Sequence, residues 1–360
     1  MRTTTARLVA LGLILSACSV SAADVTLTTT TTIEPAPTTT FTSTTLPTTT
    51  TTTLPPSDLS LVNGLPVEDA SLLDRRILAV KIDNHPSATP QTGIDEADMV
   101  IEVRVEGITR FISIWHESDI EVLGPMRSGR PTDASILAGL NEPTFAISGA
   151  QAWVQNWIVG KDVHLVGEVG PPATFRSSDR SAPHNLYVNT YELRNVADGR
   201  GYLDEPPTRP LWDFGPMSDY SEPVSAVTLE FGSSVVTWTW NAGNETWERT
   251  AYGEDGTYYD ENGDEQRIEM PVLVVLHAES YTASPPAGES GTSLPSSEVT
   301  GSGTAYVFAD GRYSEGTWDR PDESEWFTLP DTNGEILPVP PGKVWVSIVP
   351  ANQSITVEPR

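Results

Sequence analysis

Apolar and polar residues alternate along several segments in the first half of the chain after residue 58, a pattern typical of β-strands. The alternation occurs at residues 77–83 (ILAVKID) and 98–106 (DMVIEVRVE), and the mainly apolar residues 111–115 (FISIW) are predicted to form a third strand. Residues 131–140 and 150–159 instead have the spacing expected of helices. A capping-box sequence at residues 189–192 predicts the start of a third helix. This half therefore mixes strands and helices.

Beyond residue 206 only strand patterns continue. They occur at residues 227–231, 236–240, 272–276, 305–308, 312–318 and 344–349. Residues 282–303 are rich in Ser, Pro and Gly and are predicted to form a long flexible loop. The predicted fold class is α+β: a layered, β-rich head with a mixed α/β domain at residues 59–205 and a mainly antiparallel β domain at residues 206–360.

The amino terminus has the pattern of a secretory signal peptide. Arg2 and Arg7 precede an apolar run at residues 8–15, and a Leu-Ser-Ala-Cys tetrad ends at Cys18. The tetrad resembles the lipobox of bacterial lipoproteins, which implies that residues 1–18 are a signal peptide and that Cys18 carries lipid. The alternative is an ordinary signal peptide with an incidental cysteine. Lipidation would anchor the protein to the extracytoplasmic face of the cell membrane.

Residues 19–58 are predicted to be a disordered linker. Eighteen threonines lie between residues 26 and 53, interrupted by prolines, and no apolar face can be drawn through them. Such a segment would act as a stalk that holds the folded head away from the membrane.

The charge balance excludes one class of partner. The chain has 49 acidic and 21 basic side chains and a net charge of −28, so no nucleic-acid partner is expected. Cys18 is the only cysteine, which excludes an intramolecular disulfide. Residues 59–200 contribute −7 and residues 201–360 contribute −20. The basic residues of the first half nevertheless gather around its motifs.

Polar residues concentrate at predicted strand ends and helix starts, where a fold presents side chains to a ligand. The candidate ligand-binding residues are Lys81, Asn84, Arg110, Arg127 and Arg130. The candidate general acid and base residues are Asp83, Glu106 and His184. The same side chains could instead form a structural ion-pair network. The sequence alone leaves both interpretations open.

No reaction follows from these residues. Paired-histidine metal motifs and the GxSxG nucleophile motif are absent, so no metal site is predicted and no cofactor is indicated. Whether the protein is an enzyme stays undecided at this point.

Several longer motifs resemble one family. They are NGLPV at 63–67, AVKIDNHP at 79–86, EGITRF at 106–111, GPMRSGRPTD at 124–133, APHNLY at 182–187, GSGTA at 301–305 and GKVWV at 342–346. Together they resemble the YerB-like lipoproteins of bacteria, which have paired N- and C-terminal domains of unknown function. The resemblance covers residues 60–357 and departs at Gly107, where the pattern often has two glycines, and in the segment 282–303.

The resemblance implies an extracytoplasmic lipoprotein with a layered, β-rich α+β fold, and it supplies no substrate, reaction or cofactor. We expect a lipid-anchored binding module for an anionic ligand such as a cell-wall glycan, a peptidoglycan fragment or a nucleotide-like phosphate. Two alternatives remain. One is a hydrolase or transferase of wall polymers that uses Glu106, Asp83 and His184, and the other is a scaffold for another envelope protein.

Overall fold

The computed structural model describes residues 58–360. The signal peptide, Cys18 and almost all of the Thr/Pro linker lie outside the described residues. The elements of the first half are β1 (Leu78–Ile82), β2 (Gln91–Thr92), β3 (Met99–Arg104), β4 (Thr109–Trp115), α1 (Pro131–Leu137), β5 (Thr144–Ala146), α2 (Ala152–Val159), β6 (His164–Val166), β7 (Thr174–Arg176), β8 (Leu186–Val188) and α3 (Thr190–Gly199). Short 3-10 helices cover Ala70–Asp74, Pro86–Ala88, Ile94–Glu96 and Ala138–Leu140.

The second half contains strands and no α-helix between residues 206 and 360. The strands are β9 (Glu222–Glu230), β10 (Val235–Asn241), β11 (Thr246–Ala251), β12 (Glu254–Asp255), β13 (Thr257–Tyr259), β14 (Glu265–Arg267), β15 (Glu269–Met270), β16 (Val272–Ala278), β17 (Ser280–Ala283), β18 (Leu294–Ser297), β19 (Gly301–Ala309), β20 (Arg312–Arg320), β21 (Val344–Pro350) and β22 (Ile355–Pro359). The predicted α+β, β-rich fold class is confirmed.

Most strands of both halves join one mixed sheet, in the order β12-β11-β10-β9-β20-β19-β16-β21-β3-β4-β1-β5-β6. Strand β21 lies between β16 and β3 and is parallel to both. Strand β21, which comes from near the carboxyl end of the chain, therefore joins the strands of the second half to those of the first. Strands β3, β4 and β1 follow in antiparallel pairs.

Both faces of the central sheet are buried. On β3, Ile101 and Val103 pack in one apolar cluster, whereas Val100 packs in the other. Helices α1 and α2 contribute to the first cluster and α3 to the second. Two polar positions of the alternating pattern, Lys81 and Glu102, therefore do not face water and are fully buried, whereas Glu106, just beyond β3, is exposed.

Helix α3 begins where its sequence predicts. The side chain of Asn189 accepts a hydrogen bond from the backbone N–H of Glu192 at 3.1 Å, which satisfies one of the free donors of the first turn. Leu193 and Ala197 lie on the buried side of the helix.

The predicted loop at 282–303 is only partly correct: residues 284–293 connect two strands as a loop, but the segment on each side of them is ordered into strands. Strands β17 and β18 form an antiparallel hairpin there, and β19 begins at Gly301. Thr132 of α1 holds this hairpin: its hydroxyl oxygen lies 2.9 Å from that of Ser296 and accepts a hydrogen bond from the backbone of Ser297 at 3.0 Å. The composition suggested a loop because the residues that order the segment belong to a distant helix.

A cluster of buried polar side chains around Glu102 connects strands of the two halves. One carboxylate oxygen of Glu102, on β3, accepts hydrogen bonds from Thr109 at 2.6 Å and from Arg249 of β11 at 2.7 Å. Its other oxygen accepts a hydrogen bond from the indole N–H of Trp345, on β21, at 3.1 Å. Such a group is stable only while each member keeps its partners.

Replacing Glu102 should therefore destabilise the whole head. Glu102→Ala leaves the Arg249 guanidinium and two further donors buried without their acceptor, so we expect a loss of about 3–5 kcal/mol in the free energy of unfolding. Urea unfolding followed by tryptophan fluorescence measures it. The matched control is Glu358→Ala on the exposed strand β22, which should stay within about 0.5 kcal/mol of the parent protein. Equal stabilities for the two variants would contradict the proposed role.

Candidate functional site

Three of the sequence motifs meet at the end of β1. The backbone N–H of Arg127 donates to the carbonyl of Lys81 at 2.7 Å, and the N–H of Met126 donates to the carbonyl of Leu186 at 2.5 Å. These bonds place three segments side by side: residues 81–86, 124–133 and 182–187.

Asp83 is the centre of this meeting point. One of its carboxylate oxygens lies 2.7 Å from Nδ1 of His184 and 3.1 Å from Nε of Arg127. The other accepts the backbone N–H of His85 at 3.1 Å. We call Asp83, His85, Arg127 and His184 the Asp83 cluster. Asp83 itself is fully buried, so only its neighbours could contact a ligand.

The two histidines of the Asp83 cluster are held in defined orientations. A carboxylate is an acceptor, so Nδ1–H of His184 donates to Asp83, and no hydrogen bond within residues 58–360 uses Nε2 of His184. The His85 ring stacks on the His184 ring with centroids 4.5 Å apart. Nδ1 of His85 accepts the backbone N–H of Ser87. The side chain of His184 is 16% exposed, which leaves one edge of its ring for a ligand.

Arg127 keeps most of its hydrogen-bonding capacity. Its Nε lies close to Asp83, but the N–H is not aligned with the carboxylate oxygen, so the contact is an ion pair without a hydrogen bond. Neither Nη atom donates to any residue in the described part of the chain, and the side chain is 21% exposed. A guanidinium with unused donors can bind a carboxylate or phosphate in a bidentate manner.

Lys81 is paired inside the protein. Its ammonium group donates to the carboxylate of Asp133 at 2.6 Å, and both side chains are fully buried. The second Asp133 oxygen accepts the backbone N–H of Arg130 and so caps the start of α1. Burial lowers the pKa of Lys81 to about 8 despite the opposing effect of Asp133. This buried position removes Lys81 from the side chains that could contact a ligand.

Glu106 and Arg130 form a bidentate ion pair. The Nε and Nη2 atoms of Arg130 donate to the two oxygens of Glu106 at 2.8 and 2.9 Å. Burial raises the pKa of Glu106, but the hydrogen bonds and charge of Arg130 together lower it below its ordinary value. Glu106 is therefore ionised at neutral pH and poorly suited to donate a proton.

Arg110 lies behind these pairs. It is almost completely buried and donates to the carbonyl of Ser128 at 3.0 Å, whereas its Nε has no partner in the described region. Burial and the nearby charges of Arg130 and Arg127 together lower the pKa of Arg110 to about 10, against the opposing effect of Asp83. Arg110 stays cationic at neutral pH.

Asn84 belongs to a different network. Its amide donates to the hydroxyl of Thr109 at 2.8 Å and accepts a hydrogen bond from Gln91 at 3.1 Å. Through Thr109 this network reaches Glu102 and Arg249. The side chain of Asn84 therefore belongs to the Glu102 network, and Gln91 links it to the Asp83 cluster by also donating to the carbonyl of Asp83.

The structure also brings in residues that the sequence did not single out as candidates. Asp133 pairs with Lys81, and His85 stacks on His184. The sequence contained one signal for Arg249: it lies two positions after Trp247 along β11, so both side chains lie on the same, buried face of that strand. Its partner Glu102 is 147 positions away in the chain, so spacing gave no indication of the pair.

The surroundings of the Asp83 cluster are positive overall. Four cationic side chains gather there with three carboxylates, in a protein of net charge −28. No group of three or more His, Cys, Asp and Glu side chains within residues 58–360 is arranged to hold a metal ion. The arrangement can bind an anion through Arg127, and it can exchange a proton at Nε2 of His184.

Comparison with known proteins identifies one family, one related protein and one structure of the same fold. Residues 62–203 match the N-terminal domain, and residues 227–346 the C-terminal domain, of the family described as protein of unknown function DUF3048. The chain is 27% identical over 296 residues to "Putative lipoprotein YerB" of Bacillus subtilis strain 168, covering 80% of this chain and 85% of that protein. The crystal structure of the Bacillus subtilis YerB protein has the same fold, with a TM-score of 0.70, 23% identity and coverage of 83% of this chain and all of that one.

The buried Lys81–Asp133 pair makes a prediction about stability. Lys81→Met leaves the Asp133 carboxylate buried without its cation, so we expect a loss of about 3–5 kcal/mol in the free energy of unfolding. The matched control is Lys161→Met, which removes a partly exposed pair with Glu323 and should cost less than about 1 kcal/mol.

The Lys81–Asp133 pair also predicts that the free energy of unfolding depends on pH. The pKa of Lys81 is about 8 in the folded protein against an ordinary 10.5. Between these values the unfolded chain binds more protons, so the free energy of unfolding of the parent protein should rise with pH relative to that of Lys81→Met. Urea unfolding at pH 7 to 10 measures the difference. An identical pH dependence in both proteins would contradict the assignment.

Proposed function

Since this chain belongs to the DUF3048 family of proteins of unknown function, we propose that it is a lipid-anchored, extracytoplasmic binding protein of the cell envelope. The ligand that we propose is a small anion, bound at the Asp83 cluster. The proposed site consists of Arg127 and His184 as contacting residues, with Asp83 as the group that orients them.

The unused donors of Arg127 carry this proposal. Both Nη atoms lack a hydrogen-bond partner within residues 58–360, while the neighbouring carboxylate of Asp83 is already occupied by His184. A partly exposed guanidinium that an internal carboxylate does not saturate can accept an external one. The Nε2 edge of His184 would supply a further donor or acceptor to the same ligand.

Local charge supports an anion over a neutral ligand. The positive surroundings of the Asp83 cluster would attract an anion even though the whole protein repels large polyanions. Arg130 could also bind the anion if the anion replaced Glu106 as its partner. The positive charge of the buried Arg110 would add to the electrostatic attraction. Lys81 would contribute only through its charge.

The proposed location at the cell membrane is supported by separate observations. The related Bacillus subtilis protein is named as a lipoprotein, and Cys18 of this chain ends a tetrad that resembles a lipobox. We therefore propose attachment to the membrane through lipid on Cys18, with residues 19–58 as the stalk. Within residues 58–360 no helix is long and apolar enough to cross a membrane.

Arginine replacement tests the site. Full-length protein in detergent should bind at least one of three anionic probes in calorimetric titration: inorganic phosphate, a nucleoside diphosphate or a muramyl peptide. Arg127→Ala should weaken that binding about 10- to 100-fold, because charge-assisted hydrogen bonds contribute roughly 1.5–3 kcal/mol. The matched control is Arg209→Ala, which removes an exposed arginine and should leave affinity unchanged.

Two results would contradict the proposal. One is unchanged affinity in Arg127→Ala with an intact thermal transition, which would place the site elsewhere. The other is an absence of binding to all three probes in the parent protein. A large drop in melting temperature for Arg127→Ala, without any ligand, would instead favour the scaffold alternative.

The hydrogen bond between Asp83 and His184 favours a second candidate function, acid–base catalysis on wall polymers. A buried carboxylate that fixes one imidazole nitrogen while the other stays available is the arrangement used by general bases. In this candidate His184 is the catalytic residue and Asp83 positions it, whereas Glu106 is already occupied by Arg130. Turnover of labelled wall polymer that His184→Ala abolishes and Glu106→Gln retains would favour this candidate over simple binding.

The anchor has its own test. In cells given a labelled fatty acid, the full-length protein should take up label and remain with the membrane, because the Cys18 thiol is the only one in the chain. Cys18→Ala should be unlabelled. The control Ser21→Ala lies outside the tetrad and should be labelled like the parent. Label on Cys18→Ala, or none on the parent protein, would contradict lipidation.

A further inference from the structure

One cation beside the Asp83 cluster, Arg110, has no carboxylate partner. The other three form ion pairs: Lys81 with Asp133, Arg130 with Glu106 and Arg127 with Asp83. Arg110 is only 6% exposed and forms no ion pair within residues 58–360; its guanidinium group donates instead to the carbonyl of Ser128. A buried charge without a counter-ion is costly. The missing negative charge therefore points to an anion that comes from outside the protein.

The guanidinium group of Arg110 also has an unused donor. Nη1 donates to Ser128 at 3.0 Å, whereas Nη2 forms no hydrogen bond within residues 58–360. Unlike Nε, Nη2 is not closed to solvent. The two Nη atoms of Arg127 are in the same condition, since neither has an acceptor in the described chain and neither is enclosed. Two neighbouring arginines thus offer donors that an external group can reach.

Both arginines lie at the edge of the sheet where the parallel strands β1 and β5 end. Strand β4 pairs with β1 as far as Ile82, which places Arg110 opposite the end of β1. The backbone N–H of Ser148, just after β5, donates to the carbonyl of Arg127 at 3.0 Å. In sheets with parallel strands, ligands bind outside the carboxyl ends of the strands, between the segments that follow them.

The segment that follows β5 adds further donors. The backbone N–H groups of residues 149–152, at the start of α2, have no acceptor within residues 58–360. Gly149 has a φ of +139°, and a Cβ placed on it would have no atom within 4 Å, so a ligand can approach its backbone closely. The partly exposed hydroxyl groups of Ser128 and Ser148 lie 3.4 Å apart at the same edge. The start of a helix also favours negative charge.

The number of donors favours phosphate over a carboxylate. A carboxylate has two oxygen atoms, and a bidentate contact with a single arginine uses both of them. A phosphate ester has three terminal oxygen atoms and nearly two negative charges at neutral pH. It can therefore contact Arg110, Arg127 and the N–H groups after β5 together. A neutral ligand would leave the charge of Arg110 unmatched.

We propose that the anion bound at the Asp83 cluster is a phosphate group, held between Arg110, Arg127 and the backbone N–H groups that follow β5. This inference rests on the proposed function, because Arg127 contacts the ligand in both. It adds Arg110 as a contacting residue, and it narrows the ligand class to phosphate and its esters.

Replacement of Arg110 tests the inference, with full-length protein in detergent titrated calorimetrically with inorganic phosphate. Arg110→Met should bind phosphate about 10- to 100-fold more weakly, because it loses a charge-assisted hydrogen bond. In phosphate-free buffer its melting temperature should fall by less than about 3 °C, since no internal carboxylate loses its partner. The matched control is Arg104→Met on β3, whose guanidinium lies beside Gly232 and forms no ion pair within residues 58–360. It should leave phosphate affinity unchanged.

Arg110→Lys provides a second, milder change. It keeps the positive charge and loses the planar fork of donors, so the loss of phosphate affinity should be smaller than in Arg110→Met. Unchanged affinity in both variants would overturn the inference. A large fall in the melting temperature of Arg110→Met without phosphate would assign Arg110 a structural role and would also overturn it.

Other anions decide the chemical class. Acetate should bind at least tenfold more weakly than phosphate, because it has two oxygen atoms and a single charge. A nucleoside diphosphate should compete with phosphate, whereas a muramyl peptide, whose charged groups are carboxylates, should not. Equal binding of acetate and phosphate, or competition by the muramyl peptide, would overturn the assignment to phosphate.

The same titrations separate this inference from the proposed function. Anion binding that Arg127→Ala weakens and Arg110→Met does not would support the proposed site and overturn the inference. Binding of the muramyl peptide without binding of phosphate would have the same meaning. An absence of binding for every anion in the parent protein would overturn both.

Discussion

The head depends on one contact, the insertion of β21 between β16 and β3. This strand comes from the last part of the chain, yet it is parallel to a strand that begins at Met99. The row of strands from β12 to β6 is therefore continuous only when both halves are present. Because β3 holds β4, and β4 holds β1, the position of Asp83 at the end of β1 also follows from this insertion.

A sheet buried on both faces imposes a second constraint, which concerns its charged side chains. Lys81 and Glu102 occupy polar positions of alternating strands, but helices and other strands cover both faces. Each charge must then find an opposite charge inside the protein. Lys81 forms an ion pair with Asp133, and Glu102 forms one with Arg249. The charged residues that looked like candidates for ligand binding thus divide into internal pairs and a smaller group near the surface.

The Asp83 cluster lies at the limit of these internal networks. Its partly exposed His184 and Arg127 make some contacts within the protein and leave other hydrogen-bonding atoms unused among the described residues. The surroundings of the cluster are positive overall. This local charge is the physical basis for proposing an anion there.

Local patterns in the sequence predicted the strands β1, β3 and β4, the helices and the α+β class, because alternation, helical spacing and caps depend on residues close in the chain. They also identified Asp83, Arg127 and His184 as candidates. The pairing of Lys81 with Asp133, the order in residues 282–303 and the role of Arg249 were decided only by tertiary structure. In each case the deciding partner is 52 or more positions away, and the period of a strand does not reveal what covers its polar face.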